Sequence, residues 1–308
     1  MSSTTSVCLL RNAFKHKNFK LPEPHHVTKH KNYSTTCPMK PHFMGVDCKV
    51  ALITGGSEGM GFSIANHLLK EGARAVAITG LNLCNGKEAV TCLNNAYGRN
   101  RAMFINANVN CMVQLEESFK VTREAYDNID IVVNCAAVCF GTKWEEEIVT
   151  NLVGTIRTTL LGFKYIGTEG CGKGGVVVNM SGTGGLLPMA PVPTLSCCYH
   201  GIVGLTRSFG DDIHYKASKT RVLCLCPGIT STNFLKKQNP AMTHDLDKEL
   251  EKYLKDEKRQ NPDVAGLAAI HLIKHGPNGS VWVLEGSRLF MTEIPHWDQY
   301  SKLEAQYM

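Results

Sequence analysis

The chain has 308 residues, of which 43% are hydrophobic and 19% are charged, a composition ordinary for a soluble globular protein. No run reaches the roughly 18 apolar residues needed to cross a bilayer, which disfavours a membrane-spanning role. The formal net charge of +6 arises in residues 1–45, where Glu23 is the only acidic residue among several lysines and one arginine. The remainder is nearly neutral, so the sequence lacks the basic folded face expected of a nucleic-acid-binding protein.

The first 45 residues show no sustained apolar period and predict a basic extension outside the fold. Residues 7–21 form a basic amphipathic pattern, and the scarcity of acids suits a mitochondrial presequence. The alternatives are a disordered extension, or sequence upstream of a start at Met44. We therefore expect a cytoplasmic protein, or a mitochondrial one if this segment acts as a presequence.

Thirteen cysteines are spread along the chain, without the paired spacings of a zinc site. This pattern predicts no metal centre. It is typical of small buried hydrophobic side chains in a reducing compartment.

From residue 46 onward, short apolar segments alternate with amphipathic ones. Strands are predicted at 49–54, 73–79, 102–107, 129–134, 175–180, 220–226 and 280–285. Helices are predicted at 59–70, 86–96, 113–126, 145–167, 195–216 and 263–274. Continuously apolar strands separated by helices indicate a parallel sheet covered on both faces.

The predicted fold class is therefore α/β. We expect a single doubly wound parallel-sheet Rossmann domain over residues 46–295, with seven strands and helices on both faces, followed by a C-terminal tail at 296–308. The polar segment 229–261 interrupts the alternation and is interpreted as a lid or a small helical excursion.

A glycine-rich turn with the sequence TGGSEGMG lies between the first strand and the first helix, at residues 54–61. Glycines let the backbone turn sharply, and the helix N-terminus presents N–H groups to a pyrophosphate. A strand before the turn and a helix after it make a nucleotide site the favoured interpretation over a plain turn. The candidate cofactor-binding residues here are Gly55, Ser57, Glu58, Gly59, Met60 and Gly61.

The pattern Thr-Gly-x-x-x-Gly-x-Gly resembles the short-chain dehydrogenase/reductase family, and later motifs agree with it. Asn134 begins an Asn-Cys-Ala-Ala segment where the family carries Asn-Asn-Ala-Gly. Asn151 lies in a helix that resembles the one with the family's catalytic asparagine. Pro227 and Gly228 end the sixth strand and are followed by Thr230. The resemblance extends from residue 49 to about residue 295.

Within the family, the chain is most similar to the branch of insect alcohol dehydrogenases and 15-hydroxyprostaglandin dehydrogenase-like proteins. The resemblance implies an NAD-dependent oxidoreductase acting on a small hydrophobic substrate, and a homodimer or tetramer. It also adds Asn134, Pro227, Gly228 and Thr230 to the candidate cofactor-binding residues.

The proton-handling residues of the family are substituted in this chain. The family uses a tyrosine whose pKa is lowered by a lysine four residues later, and a serine thirteen residues before the tyrosine. The segment GIVGLTRS at 201–208 aligns these positions. The serine position is then Gly182, the tyrosine position is Leu195 and the lysine position is Tyr199, while Ser181 lies one residue away with its side chain turned from the site.

The adenosine end also departs from the family. The aspartate that binds the ribose hydroxyls in this branch is replaced by Gly80, and a second aspartate near the adenine is replaced by Asn108. Neither position carries a cation for a 2′-phosphate, and Glu58 would repel one. The resemblance therefore implies NAD as the cofactor, in a weakened site.

Two hypotheses follow for activity. The first is a family member that is catalytically impaired or inactive and binds a small hydrophobic ligand or a partner. The second is an active NAD-dependent oxidoreductase whose rearranged site uses Asn151 and Tyr199 to convert a hydrophobic hydroxy or keto substrate.

Overall fold

A computed structural model of the chain describes residues 44–170, 172–234, 244–256 and 259–295. Its centre is an eight-stranded sheet with the order β3-β2-β1-β4-β5-β6-β7-β8. Strands β1 to β7 run parallel, and β8 pairs antiparallel with β7. The predicted doubly wound α/β fold is confirmed.

The strands are β1 (Val50–Thr54), β2 (Ala75–Gly80), β3 (Ala102–Asn106), β4 (Ile131–Asn134), β5 (Gly175–Met180), β6 (Thr220–Pro227), β7 (Val281–Glu285) and β8 (Arg288–Thr292). The helices are α1 (Gly59–Lys70), α2 (Leu83–Tyr97), α3 (Met112–Tyr126), α4 (Trp144–Ile148), α5 (Gly154–Ile166), α6 (Pro193–Phe209), α7 (Asp212–Ser218), α8 (His244–Asp256) and α9 (Asp263–His275).

Two apolar layers cover the sheet. All residues of β1, β4 and β6 are buried, because helices pack on both faces and leave no polar side for these strands. On one face, α1 and α9 contribute Ile64, Leu68, Leu272 and others to a shared core. On the opposite face, Leu115 and Phe119 of α3 pack against β1, β4 and α5.

The structure differs from the prediction at three places. The hairpin strand β8 was missed, and it makes the sheet eight-stranded. It follows the two-residue turn of Gly286 and Ser287, in which both residues have positive φ, 55° and 62°. The predicted helix 145–167 divides at a π-helical turn, Val149–Val153. The predicted helix 195–216 breaks at Gly210, after which Asp211 caps α7 by accepting a hydrogen bond from the Ile213 N–H.

The segment 229–261 contains α8, in agreement with the expected helical excursion. Most of the predicted basic extension and all of the predicted tail at 296–308 lie outside the described residues. No helix among the described residues combines the length and apolar character needed to cross a membrane.

Candidate functional site

The candidate residues gather at the carboxyl edge of the sheet, beside the point where the strand order reverses between β1 and β4. In open α/β sheets this crevice is where ligands bind. The glycine-rich turn follows β1, Asn134 ends β4, and Gly182 lies just beyond β5. The fold therefore brings together residues that are far apart in the sequence.

The glycine-rich turn is packed so closely that side chains would not fit at its first and last glycines. Gly55 has a φ of +66°, and a Cβ there would lie 2.8 Å from the Ala136 nitrogen. A Cβ on Gly61 would overlap the Gly55 carbonyl oxygen. Thr54 holds the same region, because its Oγ1 accepts the N–H groups of Cys135 and Ala136 at 3.2 and 3.3 Å. The turn is thus drawn tightly against the end of β4.

The N-terminus of α1 faces this turn without a side-chain cap. Glu58 is the N-cap residue in an extended conformation, and its side chain makes no capping hydrogen bond. The first helical turn contains no acidic residue. Met60 packs on the apolar core, and Ser57 lies near Gly80. Backbone N–H groups at a helix N-terminus, beside a glycine-lined concavity, fit a pyrophosphate.

Beyond β6, the structure places Thr232 rather than Thr230 against the turn. The Thr230 hydroxyl donates to the Gly228 carbonyl at 2.9 Å and accepts from the Gln260 amide at 3.3 Å. A Cβ on Gly59 would lie 3.3 Å from the Thr232 methyl carbon. Thr232 was not among the predicted site residues, because the sequence does not show which threonine after Gly228 the backbone brings to Gly59.

At the adenosine end, a side chain on Gly80 would make one tight contact, with the hydroxyl of Ser57. A Cβ there would lie 3.3 Å from the Ser57 hydroxyl oxygen and 3.7 Å from the Phe104 ring. Asn108 turns its side chain to its own loop, where Oδ1 accepts the Asn110 N–H at 2.9 Å. No described carboxylate occupies either position.

A buried amide network supports the strand ends. The Asn134 amide donates to Asn179 Oδ1 at 2.7 Å and to the Thr159 hydroxyl at 3.2 Å. Asn179 donates onward to Thr206 of α6 at 3.0 Å. Asn134 Oδ1 is buried and has no hydrogen-bond partner among the described residues, which makes it the free polar atom of the network.

Asn151 and Glu147 lie one helical turn apart and hold the loop after β4. The Asn151 side chain accepts the Val138 N–H and donates to the Val138 carbonyl, both at 2.8 Å. Glu147 accepts the N–H groups of Phe140 and Gly141 at 2.7 and 3.4 Å. Asn151 thus bonds the loop backbone directly, and Glu147 was not anticipated from the sequence.

Glu147 brings a buried carboxyl group close to the candidate catalytic residues. It is 1% exposed. Burial raises its pKa, and the N–H donors of Phe140 and Gly141 offset only part of this rise. The same carboxylate contributes to raising the pKa of Cys139, Cys198 and Tyr199, which places it near all three.

The Tyr199 ring lies directly against Gly182. A Cβ at position 182 would lie 2.7 Å from Cε2 and 3.0 Å from Cδ2 of that ring. The ring therefore takes the space that a serine side chain would need. Ser181 points elsewhere, as expected, and donates its hydroxyl to the Tyr199 carbonyl at 3.0 Å.

The environment of Tyr199 keeps its phenol protonated. Burial is the largest cause that raises its pKa, followed by the neighbouring Cys139 and Glu147. A nearby ammonium acts in the opposite direction, because it stabilises the phenolate. The Tyr199 hydroxyl is therefore a poor base at neutral pH.

The Leu195 side chain is buried in an apolar cluster that includes residues of α8. It is 2% exposed and belongs to the same cluster as Cys139, Val192 and Leu250. Leu254 and Phe234 pack against this cluster. The position that the family resemblance assigns to the proton donor thus serves as a hydrophobic contact for α8.

A cleft of about 490 Å³ opens next to these residues. Its walls come from Thr183 and Gly184, the segment 187–191, Ile229 and Glu285. The Glu285 carboxylate lies against the Gly228 backbone, where a Cβ would overlap it. Most of the lining side chains are apolar, so the cleft suits a small hydrophobic molecule.

Comparison with known proteins agrees with this architecture. The sequence model of the short chain dehydrogenase family matches residues 49–243. The chain belongs to this family.

Its relatives lie in the branch that the sequence motifs indicated. The chain is 36% identical over 192 residues to the Homo sapiens protein named 15-hydroxyprostaglandin dehydrogenase (NAD(+)), covering 62% of this chain and 72% of the relative. It is 26% identical over 250 residues to Fat body protein 2 of Drosophila melanogaster, covering 81% of this chain and 97% of that protein.

Solved structures support the same fold. A Brucella melitensis 3-ketoacyl-(acyl-carrier-protein) reductase complexed with NADH has a TM-score of 0.66 and 20% identity, with 78% of this chain and 98% of that chain covered. Levodione reductase has a TM-score of 0.65 and 21% identity, over 78% and 97% of the two chains. At these identities the likeness concerns the fold alone.

We predict that Gly182→Ser destabilises this short-chain dehydrogenase by about 1–3 kcal/mol, the usual cost of overpacking, because the new side chain meets the Tyr199 ring. In a Tyr199→Ala background the same change should cost much less. Urea denaturation of the four proteins would measure the coupling, with Gly45→Ser as the control at a glycine whose surroundings are open. Equal costs in both backgrounds would contradict the contact.

We also predict that Tyr199 does not ionise between pH 7 and pH 10, because its pKa lies above the ordinary tyrosine value of 10.0. The difference in tyrosinate absorbance between the wild type and Tyr199→Phe should stay flat across this range. A titration step near pH 7–8 in that difference would instead identify Tyr199 as an activated base.

Proposed function

We propose that this chain is a short-chain dehydrogenase family member that binds NAD weakly and holds a small hydrophobic ligand without ordinary dehydrogenase turnover. The observation that carries this proposal is the Tyr199 ring packed on Gly182, next to a sealed Leu195. Gly182 and Leu195 carry no group that could transfer a proton, and the raised pKa of Tyr199 makes its phenol a poor acid and leaves little phenolate to act as a base.

The glycine-rich turn fits a dinucleotide. Gly55, Gly59 and Gly61 keep the concavity free of side chains, and the uncapped α1 N-terminus would hold the pyrophosphate. Asn134, Pro227, Gly228 and Thr232 lie around the rest of the crevice, where the nicotinamide end would bind. When bound, a nicotinamide supplies a hydride acceptor or donor. The relatives named for NAD(+) and the neighbour complexed with NADH support this choice of cofactor.

The adenosine end supports weak rather than tight binding. Gly80 offers no carboxylate to the ribose hydroxyls, and Asn108 uses its side chain within its own loop. Each missing hydrogen bond to a charged group is worth about 1.5–3 kcal/mol. We therefore infer a lower NAD affinity than an aspartate at position 80 would give.

The loss of proton transfer argues against turnover. General acid–base catalysis contributes about 10²–10⁴-fold to a rate, and leucine can neither donate nor accept a proton. The phenol of Tyr199 has a raised pKa, so it does not replace the missing base. The Asn151 amide already has both partners on Val138.

The competing hypothesis is an active enzyme that uses Tyr199 in a rearranged site. In its favour, the Tyr199 ring lies near Gly184, which lines the cleft, since a Cβ on Gly184 would be 3.5 Å from the ring. Against it stands the raised pKa of Tyr199, which burial causes for the most part, with Cys139 and Glu147 adding to it. We therefore favour the non-catalytic function.

We extend the proposal to the assembly and the compartment. The family resemblance supports a homodimer or tetramer. All ten cysteines among the described residues are free thiols, which supports a reducing compartment such as the cytoplasm.

We predict no NAD reduction above background when the purified full-length chain is supplied with NAD(+) and a panel of secondary alcohols. The triple variant Gly182→Ser, Leu195→Tyr, Tyr199→Lys should gain turnover, since it restores the serine, the phenol and its ammonium. The double variant that keeps Leu195 is the control and should stay inactive. Wild-type turnover would overturn the proposal, and an inactive triple variant that folds and binds NAD would contradict the alignment.

We predict that Gly80→Asp tightens NAD binding about tenfold, the equivalent of about 1.4 kcal/mol, because it adds a carboxylate for the ribose hydroxyls. The only tight contact of the new Cβ is with the Ser57 hydroxyl, at 3.3 Å, which rotation of that side chain would relieve. Calorimetric titration would measure the dissociation constants. Leu81→Asp adds the same charge at an adjacent position that is 68% exposed, and it should leave the affinity almost unchanged. Submicromolar NAD binding by the wild type would contradict the weakened site.

A further inference from the structure

Met189 lies between the cleft and the apolar cluster that contains Leu195. It contributes to the cleft wall, and its side chain also packs against the cluster of Cys139, Val192, Leu195 and Leu250. Among the described residues that line the cleft, Met189 alone also packs against this cluster. Its side chain therefore forms the wall between the two.

The Met189 thioether fills the space above Gly184. A Cβ on Gly184 would overlap the Met189 Sδ and would lie 2.8 Å from its Cγ and 3.5 Å from Cδ2 of the Tyr199 ring. The thioether and the ring thus approach the same point. Gly184 and Met189 line the cleft, whereas the Tyr199 ring does not, so a ligand in the cleft meets the thioether before it can reach the phenol.

Hydrogen bonds fix the backbone from which this side chain projects. The Val192 N–H donates to the Met189 carbonyl at 3.1 Å. The Ser196 hydroxyl, on a residue only 6% exposed, donates to the Gly184 carbonyl at 2.8 Å. Methionine is unbranched and fills irregular gaps. An adaptable side chain thus closes the cleft from a backbone that is held in place.

We infer that Met189 determines the length of ligand that the cleft accepts, which is a short apolar chain that ends at the thioether and does not reach the Tyr199 ring. This inference rests on the proposed function, since it requires that the cleft hold a hydrophobic ligand. It goes further by naming the residue that selects among such ligands.

The 2-alkanones from 2-pentanone to 2-undecanone would measure this limit, because successive members differ by one methylene. We would titrate each into the full-length protein by calorimetry, with and without saturating NAD(+), which does not oxidise a ketone. In the wild type, the affinity should rise by up to about fourfold per methylene, the equivalent of about 0.8 kcal/mol. It should stop rising once the chain reaches Met189.

Met189→Ala should extend this rise by about three further methylenes, because the lost Cγ, Sδ and Cε atoms leave a space that the surroundings fill only in part. Leu187→Ala is the matched control, since it removes as many heavy atoms from a lining residue that is 67% exposed. It should leave the limit unchanged. Met189→Leu, which nearly preserves the volume, should also keep the wild-type limit.

Gly184→Ala provides a second test that does not depend on the folding of Met189→Ala. Its new Cβ should push the thioether into the cleft, because the Tyr199 ring and the Leu195 cluster occupy the other side. The limit should then fall below that of the wild type. In a Met189→Ala background that folds, the same change should have little effect.

Thermal melting would establish which variants fold. An unchanged limit in a folded Met189→Ala protein and in Gly184→Ala, or an equal extension in Leu187→Ala, would overturn the inference about Met189 and leave the ligand-binding function standing. Failure of every ketone to bind any of these proteins would overturn both.

Discussion

The Tyr199 ring lies just after the end of β5, in the space that a side chain at position 182 would need. The other residues of the candidate site surround this contact. The ring lies so close to the Gly182 backbone that any side chain at 182 would displace it. The two residues are thus a complementary pair, since a large side chain on α6 is accommodated by the absence of one beside β5. Leu195, one turn earlier on α6, is buried with Leu250 of α8. At the three positions where the resembled family carries serine, tyrosine and lysine, this structure has a packed and largely apolar surface.

This packed surface is supported by polar anchors that the rest of the family architecture provides. Asn151 and Glu147 bond the backbone of the loop after β4, and Asn134 joins Asn179 and, through it, α6. These bonds hold the loop after β4 and link β4, through β5, to α6 at the carboxyl edge of the sheet. The glycine-rich turn is equally intact, because its glycines are required by close backbone contacts whether or not chemistry follows. The preserved crevice, with Tyr199 packed on Gly182, is the observation on which we propose a binding role.

Much of the fold could be predicted from the sequence, because strands that are buried on both faces of a sheet are continuously apolar. Strands such as β1 and β6 are continuously apolar, and the turn after β1 contains glycines at fixed spacing. The missed strand β8 shows the limit of this reasoning, since its pairing depends on a tight turn at Gly286 and Ser287 rather than on a strong apolar pattern. Thr232 was missed for a related reason, because only the course of the backbone after Gly228 shows which threonine reaches Gly59.

The sequence by itself determined the α/β class and the position of the glycine-rich turn, and it predicts the substitution of the family's serine, tyrosine and lysine. These follow from local pattern and spacing, which are properties of neighbouring residues. Only the tertiary structure decided what fills the vacated space, that Glu147 lies below Tyr199, and that Glu285 borders the cleft. Residues 147, 182, 199 and 285 belong to different elements, and their proximity results from the packing of α4, α6, β5 and β7 at one edge of the sheet. Side-chain environments, and therefore the charge of the site, depend on that packing.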